Sequence, residues 1–205
     1  RASRMPKPPR TPEVVVVGSF NVDHVWRSDA LPPPGATHSG DYASGPGGKG
    51  FNQATACARS GASTAFVCAL GEDVGGQLAR ALANADAIDL RDQDCDAPTG
   101  TAGIFVDNQG RNSIVVGPGA NALLSAEFIE AQHAAIAGAA VTLAQLESPL
   151  ETVAVALRLA HEAGRIAMLN PAPANVALPR ELLALADILT PNETECAGLF
   201  ARHLG

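Results

Sequence analysis

Four groups of polar residues have the types and spacing for chemistry. The first is the stretch 45–50, GPGGKG, where bare backbone surrounds one ammonium, Lys49. Glycines let backbone N–H groups approach a ligand without Cβ clashes, and Lys49 donates to hydroxyls. A helical stretch opens near Phe51, so its positive end points at this loop, with Asn52 in its first turn. The second group is Asn21 and Asp23 in VVVVGSFNVD. Two apart in an extended segment, they face the same way, and an amide beside a carboxylate suits a polyhydroxylated ligand. The third is Glu147, which ends VTLAQLE; the fourth is Asn192 with Glu195 in TPNETE.

Each group has a plainer reading. Asn21 and Asp23 also fit a turn, Glu147 a solvated acid before a helix, and Asn192 with Glu195 a capping box. The glycine loop also fits a structural turn. As a Walker A loop it fails twice: Ala43 stands where the first glycine belongs, and Gly50 where Ser or Thr belongs. The dinucleotide pattern G-x-G-x-x-G is met formally by Gly45, Gly47 and Gly50. It should follow the first buried strand, yet GSFNVD follows that strand. A NAD-dependent oxidoreductase rests on this match alone. A sugar site draws on Lys49, Asn52, Asn21 and Asp23 together.

The elements that must position these groups are legible. Val14–Val17 is a continuous β-branched run, the mark of a strand buried on both faces. Thr64–Leu70, Ala140–Leu146, Arg165–Leu169 and Asp187–Leu189 read as further strands. Helices are expected over about Phe51–Arg59, Val74–Asn84, Ser125–Ile136, from Ser148 to Gly164, near Arg180–Ala186 and from Asn192. In SPLE, Ser148 is expected to cap its helix, with Pro149 first and Glu151 completing a capping box. This alternation predicts an α/β fold: a doubly wound, mostly parallel sheet with helices on both faces. Two hairpin-like segments, about 24–44 and 99–117, interrupt it and together predict a small second sheet.

Composition narrows the function classes. Net charge is −7 and aromatics are 4% of residues, which argues against a nucleic-acid partner. No apolar run approaches the length of a membrane span. Cys57, Cys68, Cys95 and Cys196 form no C-x-x-C pair, so neither zinc nor disulfides are expected, and a reducing, cytoplasmic setting fits. Residues 1–13 are basic and proline-rich and read as a flexible leader; 14–205 read as one domain.

GSFNVD, PGGKGFNQA, LGEDVGG, QLESP, LNPAPA and TPNETE, in this order and spacing, resemble the ribokinase-like carbohydrate kinase family. The resemblance runs from about Val14 to Cys196 and covers the family's N-terminal portion. It implies an α/β core with a small β lid. It also implies transfer of the ATP γ-phosphoryl group to a sugar's primary hydroxyl, in the ribokinase branch O5 of D-ribose. By motif match, Asn21, Asp23, Gly48, Lys49, Asn52 and Glu147 hold the sugar. Asn192 and Glu195 lie near the phosphates and help organise Mg²⁺, without a direct metal ligand being implied. A monovalent cation such as K⁺ and a homodimer formed through the lid are further implications.

There are departures from the family pattern. Ala36 stands where the family has an acid, and Phe51 replaces an alanine, with a shifted helix start or a narrower sugar pocket as the expected result. The family's D-T-x-G-A-G-D motif supplies the catalytic base and the anion hole, and it does not occur in residues 1–205. No catalytic residue is therefore assigned here; the base is expected beyond Gly205. Because phosphoryl transfer depends on such groups, the 205 residues alone are expected to phosphorylate ribose negligibly. A non-catalytic sugar-binding fragment or pseudokinase is the alternative. A parallel sheet lacking its later strands is expected to show an open edge and a bare apolar face.

Overall fold

The β-branched run at the start is the strand β1 (Val14–Val17) in a computed structural model that describes residues 11–203. The chain continues through β2 (Asn21–Arg27), β3 (Asp41–Gly47), α1 (Lys49–Arg59), β4 (Thr64–Gly71), α2 (Val74–Ala85) and β5 (Asp89–Cys95). Next come β6 (Gly100–Val106), β7 (Asn112–Gly117), a 3₁₀ turn (Gly119–Leu123), α3 (Ala126–Glu130), α4 (His133–Gly138) and β8 (Val141–Ala144). Last are α5 (Leu150–Glu162), β9 (Ile166–Leu169), α6 (Arg180–Leu183), β10 (Ile188–Leu189) and α7 (Glu193–His203).

Two sheets result. The larger has the order β10-β9-β8-β1-β4-β5, and every pairing in it is parallel. Side chains alternate across it. Val15, Val17, Ala65, Val67 and Ala69 face a core shared with α3, α4 and α5. Val16, Phe66, Cys68 and Leu70 face Phe51 and Ala54 of α1 and Ala79 and Ala83 of α2. Burial on both faces explains why these strands read as unbroken apolar runs. The helices match: Val153, Ala156, Leu157 and Ala160 of α5, at spacings of three and four, are all fully buried. Asp73 caps α2, its carboxylate accepting the Gly76 N–H at 2.8 Å.

The smaller sheet, order β3-β2-β6-β7, is the expected lid. Its β2–β6 pairing is parallel, and its outer pairings are antiparallel. No helix among the described residues is long and apolar enough to cross a membrane.

Several expectations need correction. The helix expected over 125–136 is two, α3 and α4, separated by a turn at Ala131–Gln132. Strand β5 is an addition, because Asp89, Arg91, Asp92 and Asp94 carry no apolar pattern; it is an edge strand, where charges discourage pairing with other chains. The Ser148 capping box is absent. Helix α5 starts at Leu150, so Pro149 holds the capping position, and the buried Ser148 hydroxyl has no hydrogen-bond partner among the described residues. Residues 1–10 of the expected leader lie outside the described residues. Glu13 is tied down: its N–H donates to Ser63 O, and its carbonyl accepts from Ala140. At the other side of the sheet, register places Ile166, Met168 and Ile188 on the face of Val16. There Ile166 and Ile188 are 42% and 40% exposed, the open apolar surface expected above.

Candidate functional site

The site begins where α1 starts. Gly48, the capping residue, has no side chain to satisfy the helix's first N–H groups. Those groups are satisfied from elsewhere in the chain. The Lys49 N–H donates to Glu147 Oε2 at 2.9 Å, and the Phe51 N–H to Ser19 O at 2.9 Å. The Ser19 hydroxyl donates to the same Glu147 oxygen at 2.6 Å. Glu147, just beyond β8, therefore places its negative charge at the helix's positive end. Oε2 is taken by these two bonds, and Oε1 accepts no hydrogen bond among the described residues.

This arrangement explains the glycines. At Gly48, φ is +87°, and a Cβ would lie 2.8–2.9 Å from the backbone of Ser19, Phe20 and Asn21. At Gly50 a Cβ would lie 2.5 Å from Ser19 N. At both positions the space that a side chain would fill is taken by the chain between β1 and β2. Gly45 and Gly47 lie in the lid strand β3, not in a turn between β1 and a helix, so the dinucleotide pattern has no structural counterpart.

Asn21 and Asp23 both lie on β2, with register partners Gly47 and Gly45. They share a face, as their spacing requires, but they open the lid rather than end β1. Asn21 is buried, and its amide oxygen accepts from Asn121 Nδ2 at 2.9 Å. The Asp23 carboxylate lies over Gly47, 2.2–2.3 Å from where a Cβ would stand. Burial raises the Asp23 pKa above the usual carboxylate range, and the nearby charge of Glu147 raises it further, against a smaller opposing effect of His24. Asn21, Lys49 and Glu147 line one cleft of about 770 Å³ under Ile114 and Val116 of β7. The Lys49 ammonium has no ion-pair partner among the described residues. Asn52 is exposed in the first turn of α1. Phe51 does not narrow the cleft; it is 3% exposed and packs edge-on against Phe20, with ring centroids 5.1 Å apart.

Asn192 and Glu195 form the capping box at the start of α7. The Asn192 N–H donates to Glu195 Oε2 at 2.9 Å, and the Glu195 N–H to Asn192 Oδ1 at 2.8 Å. Their bonds are to each other rather than to Glu147 or Lys49. A chain of amides leads from α1 toward them: Gln145 Nε2 donates to Gln53 Oε1, Gln53 Nε2 to Asn170 Oδ1 at 3.3 Å, and Asn170 Nδ2 to Thr190 O at 2.7 Å.

Sequence reasoning does not single out Ser19, Gln53, Asn121, Gln145 or Asn170. Only Ser19 carries a local signal, as a hydroxyl at the carboxyl end of a buried strand, where ligands of parallel sheets bind. Asn121, in GPGAN, has the look of an ordinary turn residue. The groups brought together offer amide, carboxylate and ammonium functions on one cleft at the carboxyl ends of β1 and β8. That inventory suits a polyol.

Comparison with known proteins agrees. The pattern described as pfkB family carbohydrate kinase matches residues 11–204. A ribokinase of Haemophilus influenzae is 42% identical over 185 residues, 89% of this chain and 60% of its own length. A bifunctional ribokinase/ribose-5-phosphate isomerase A of Fructilactobacillus sanfranciscensis is 44% identical over 91% of this chain and 35% of its own. The structure of Arabidopsis thaliana ribokinase complexed with ribose and ATP superposes with a TM-score of 0.80 at 33% identity, covering 94% of this chain and 64% of that one. The chain thus spans about 60% or less of the length of these curated relatives.

Proposed function

This chain belongs to the pfkB family of carbohydrate kinases, and from that membership we propose that it is the sugar-binding portion of an ATP-dependent kinase acting on O5 of D-ribose. The observation that carries the reading is the trans-capped start of α1. It brings Lys49 and Glu147, 98 residues apart, to one cleft with Asn21 of the lid. In this reading Asp23 and Oε1 of Glu147 accept from sugar hydroxyls. Lys49, Asn21 and Asn52 donate to sugar oxygens, and the Gly48 backbone lies against the ring. Binding between lid and sheet orients the primary hydroxyl and excludes water, the positioning on which phosphoryl transfer depends. ATP supplies the phosphoryl group, with Mg²⁺ balancing its charge. Asn192 and Glu195 hold the start of α7 beside the phosphates through their mutual bonds, and no residue of this chain is assigned as the base or as a K⁺ ligand.

The lid supports a homodimer in the same reading. Trp26, Tyr42 and Phe105 share one face, with Trp26 centred 5.2 Å from each of the other rings. All three are more than a third exposed. A second copy of the same face is the partner that matches this patch.

Calorimetric titration of ribose, and separately of NAD, tests the function. Ribose binding that is weakened by Asp23→Ala and by Glu147→Ala is expected. NAD binding without ribose binding would overturn the reading. A coupled assay with ATP and ribose on the full protein tests the transfer step.

A further inference from the structure

The structure assigns to Asn121 a positioning role: it fixes which end of the Asn21 amide faces the sugar cleft. The inference rests on the reading above, in which Asn21 contacts the sugar.

Asn121 is 2% exposed and sits in the 3₁₀ turn that follows the lid strand β7. Its Oδ1 accepts the Phe20 N–H at 3.1 Å, and its Nδ2 donates to Phe20 O at 2.9 Å. One side-chain amide thus satisfies both backbone groups of the residue between β1 and β2. Its Nδ2 also donates to Asn21 Oδ1 at 2.9 Å. This last bond turns the Asn21 oxygen toward the protein. The Asn21 NH₂ is then the end left for a ligand, so Asn21 is a donor to a sugar oxygen. The strand β6 presses on the same pair. A Cβ at Gly100 would stand 2.2 Å from Asn121 Nδ2 and 2.3 Å from Asn21 Oδ1. The strands β2 and β6 and the segment leaving β7 therefore meet at this bond, where the lid joins the core.

Asn121→Asp removes the donor. The carboxylate's second oxygen would face Phe20 O and Asn21 Oδ1, both acceptors. Asn21 then rotates to offer its NH₂ to the new carboxylate and its oxygen to the cleft. The donor becomes an acceptor at one hydroxyl only.

The test measures dissociation constants of the full protein for ribose and for its singly deoxygenated analogues, in wild type, Asn21→Ala and Asn121→Asp. In wild type, one analogue reveals the hydroxyl that Asn21 holds: for it alone Asn21→Ala costs nothing. Asn121→Asp is expected to weaken ribose binding about tenfold, the scale of one hydrogen bond with a desolvated partner, and to leave that same analogue unaffected. The double variant Asn21→Ala/Asn121→Asp is expected to bind ribose no worse than Asn21→Ala. Equal weakening of all sugars, or additive losses in the double variant, would overturn the inference in favour of a general structural role. If Asn21→Ala itself leaves ribose binding unchanged, the sugar-site reading fails, and the inference with it. Should Asn121→Asp not fold, Gly100→Ala disturbs the same bond from β6, and the same selective loss is expected.

Discussion

The six-stranded sheet and the lid bury their residues in opposite ways. Val15, Val16 and Val17 of the sheet are inaccessible to solvent, while all six residues of β7 in the lid are exposed. The sheet is held by apolar packing on both faces, which is insensitive to what binds. The lid has little core of its own and is held at its base by polar contacts: Asn121 to Phe20 and Asn21, and Asp73 to Thr99 N and Thr99 Oγ1 at 2.8 and 2.6 Å. Stability therefore belongs mainly to the sheet. In the proposed reading, ligand recognition belongs to the seam, where polar groups of the lid meet the carboxyl ends of the strands. A rigid scaffold carrying a weakly cored cover suits the sugar entry and closure of that proposed reading.

Substitutions can break or sharpen this contrast. The largest effect is expected inside the sheet's core: Leu157→Ala removes a fully buried side chain and should cost about 2–5 kcal/mol in denaturant unfolding. At the seam, Glu147→Gln keeps the shape but removes the charge that receives the Lys49 N–H and the Ser19 hydroxyl. It should cost about 1–2 kcal/mol of stability and weaken ribose binding at least about tenfold by calorimetry. Asp73→Ala, which frees the Gly76 N–H and both Thr99 groups, should cost about 1 kcal/mol in the same unfolding measurement.

Two acids at the seam predict opposite pH dependence. At Asp73 burial raises the pKa, but hydrogen bonds from Thr99, Gly76 and Gly75 outweigh it and the net shift is downward. Its stabilisation is present above the unfolded value, about 3.9, and is lost as pH falls through the lower folded value. At Asp23 the net shift is upward. Its contribution is greatest below the unfolded value and is lost as pH rises through the folded one. In thermal melts from about pH 3 to 7, across these carboxylate values, Asp23→Asn should gain on wild type with rising pH, and Asp73→Asn should fall behind. The same direction for both would remove the contrast between a holding acid and the proposed binding acid. The smallest effect is expected at an exposed position on the cleft side of the lid. Ile114→Ser, at a side chain 52% exposed, should change stability by no more than about 0.5 kcal/mol, checked by denaturant unfolding.

Much of this is legible in the chain itself. The runs at Val14–Val17 and Thr64–Leu70 announce strands covered on both sides, because only burial tolerates unbroken apolar sequence. The turn at DNQGR marks the β6–β7 hairpin, and the Asn192–Glu195 box predicts the start of α7, because both are set by contacts within a few residues. Edge strand β5 leaves no such signal, since none of its residues is fully buried and Asp89, Arg91, Asp92 and Asp94 interrupt any apolar run.

What tertiary structure alone decided lies in contacts of long range. Nothing in the sequence around Glu147 shows that it caps a helix starting at Lys49, or around Asn121 that it holds Phe20 and Asn21. Ser148 has the local pattern of a cap and is none, because the helix begins one residue later than the pattern asks. Local spacing determined the elements; which polar atoms meet was decided by how the strands stack. The free energy of a buried hydrogen bond depends on a partner whose position only the packed sheet supplies.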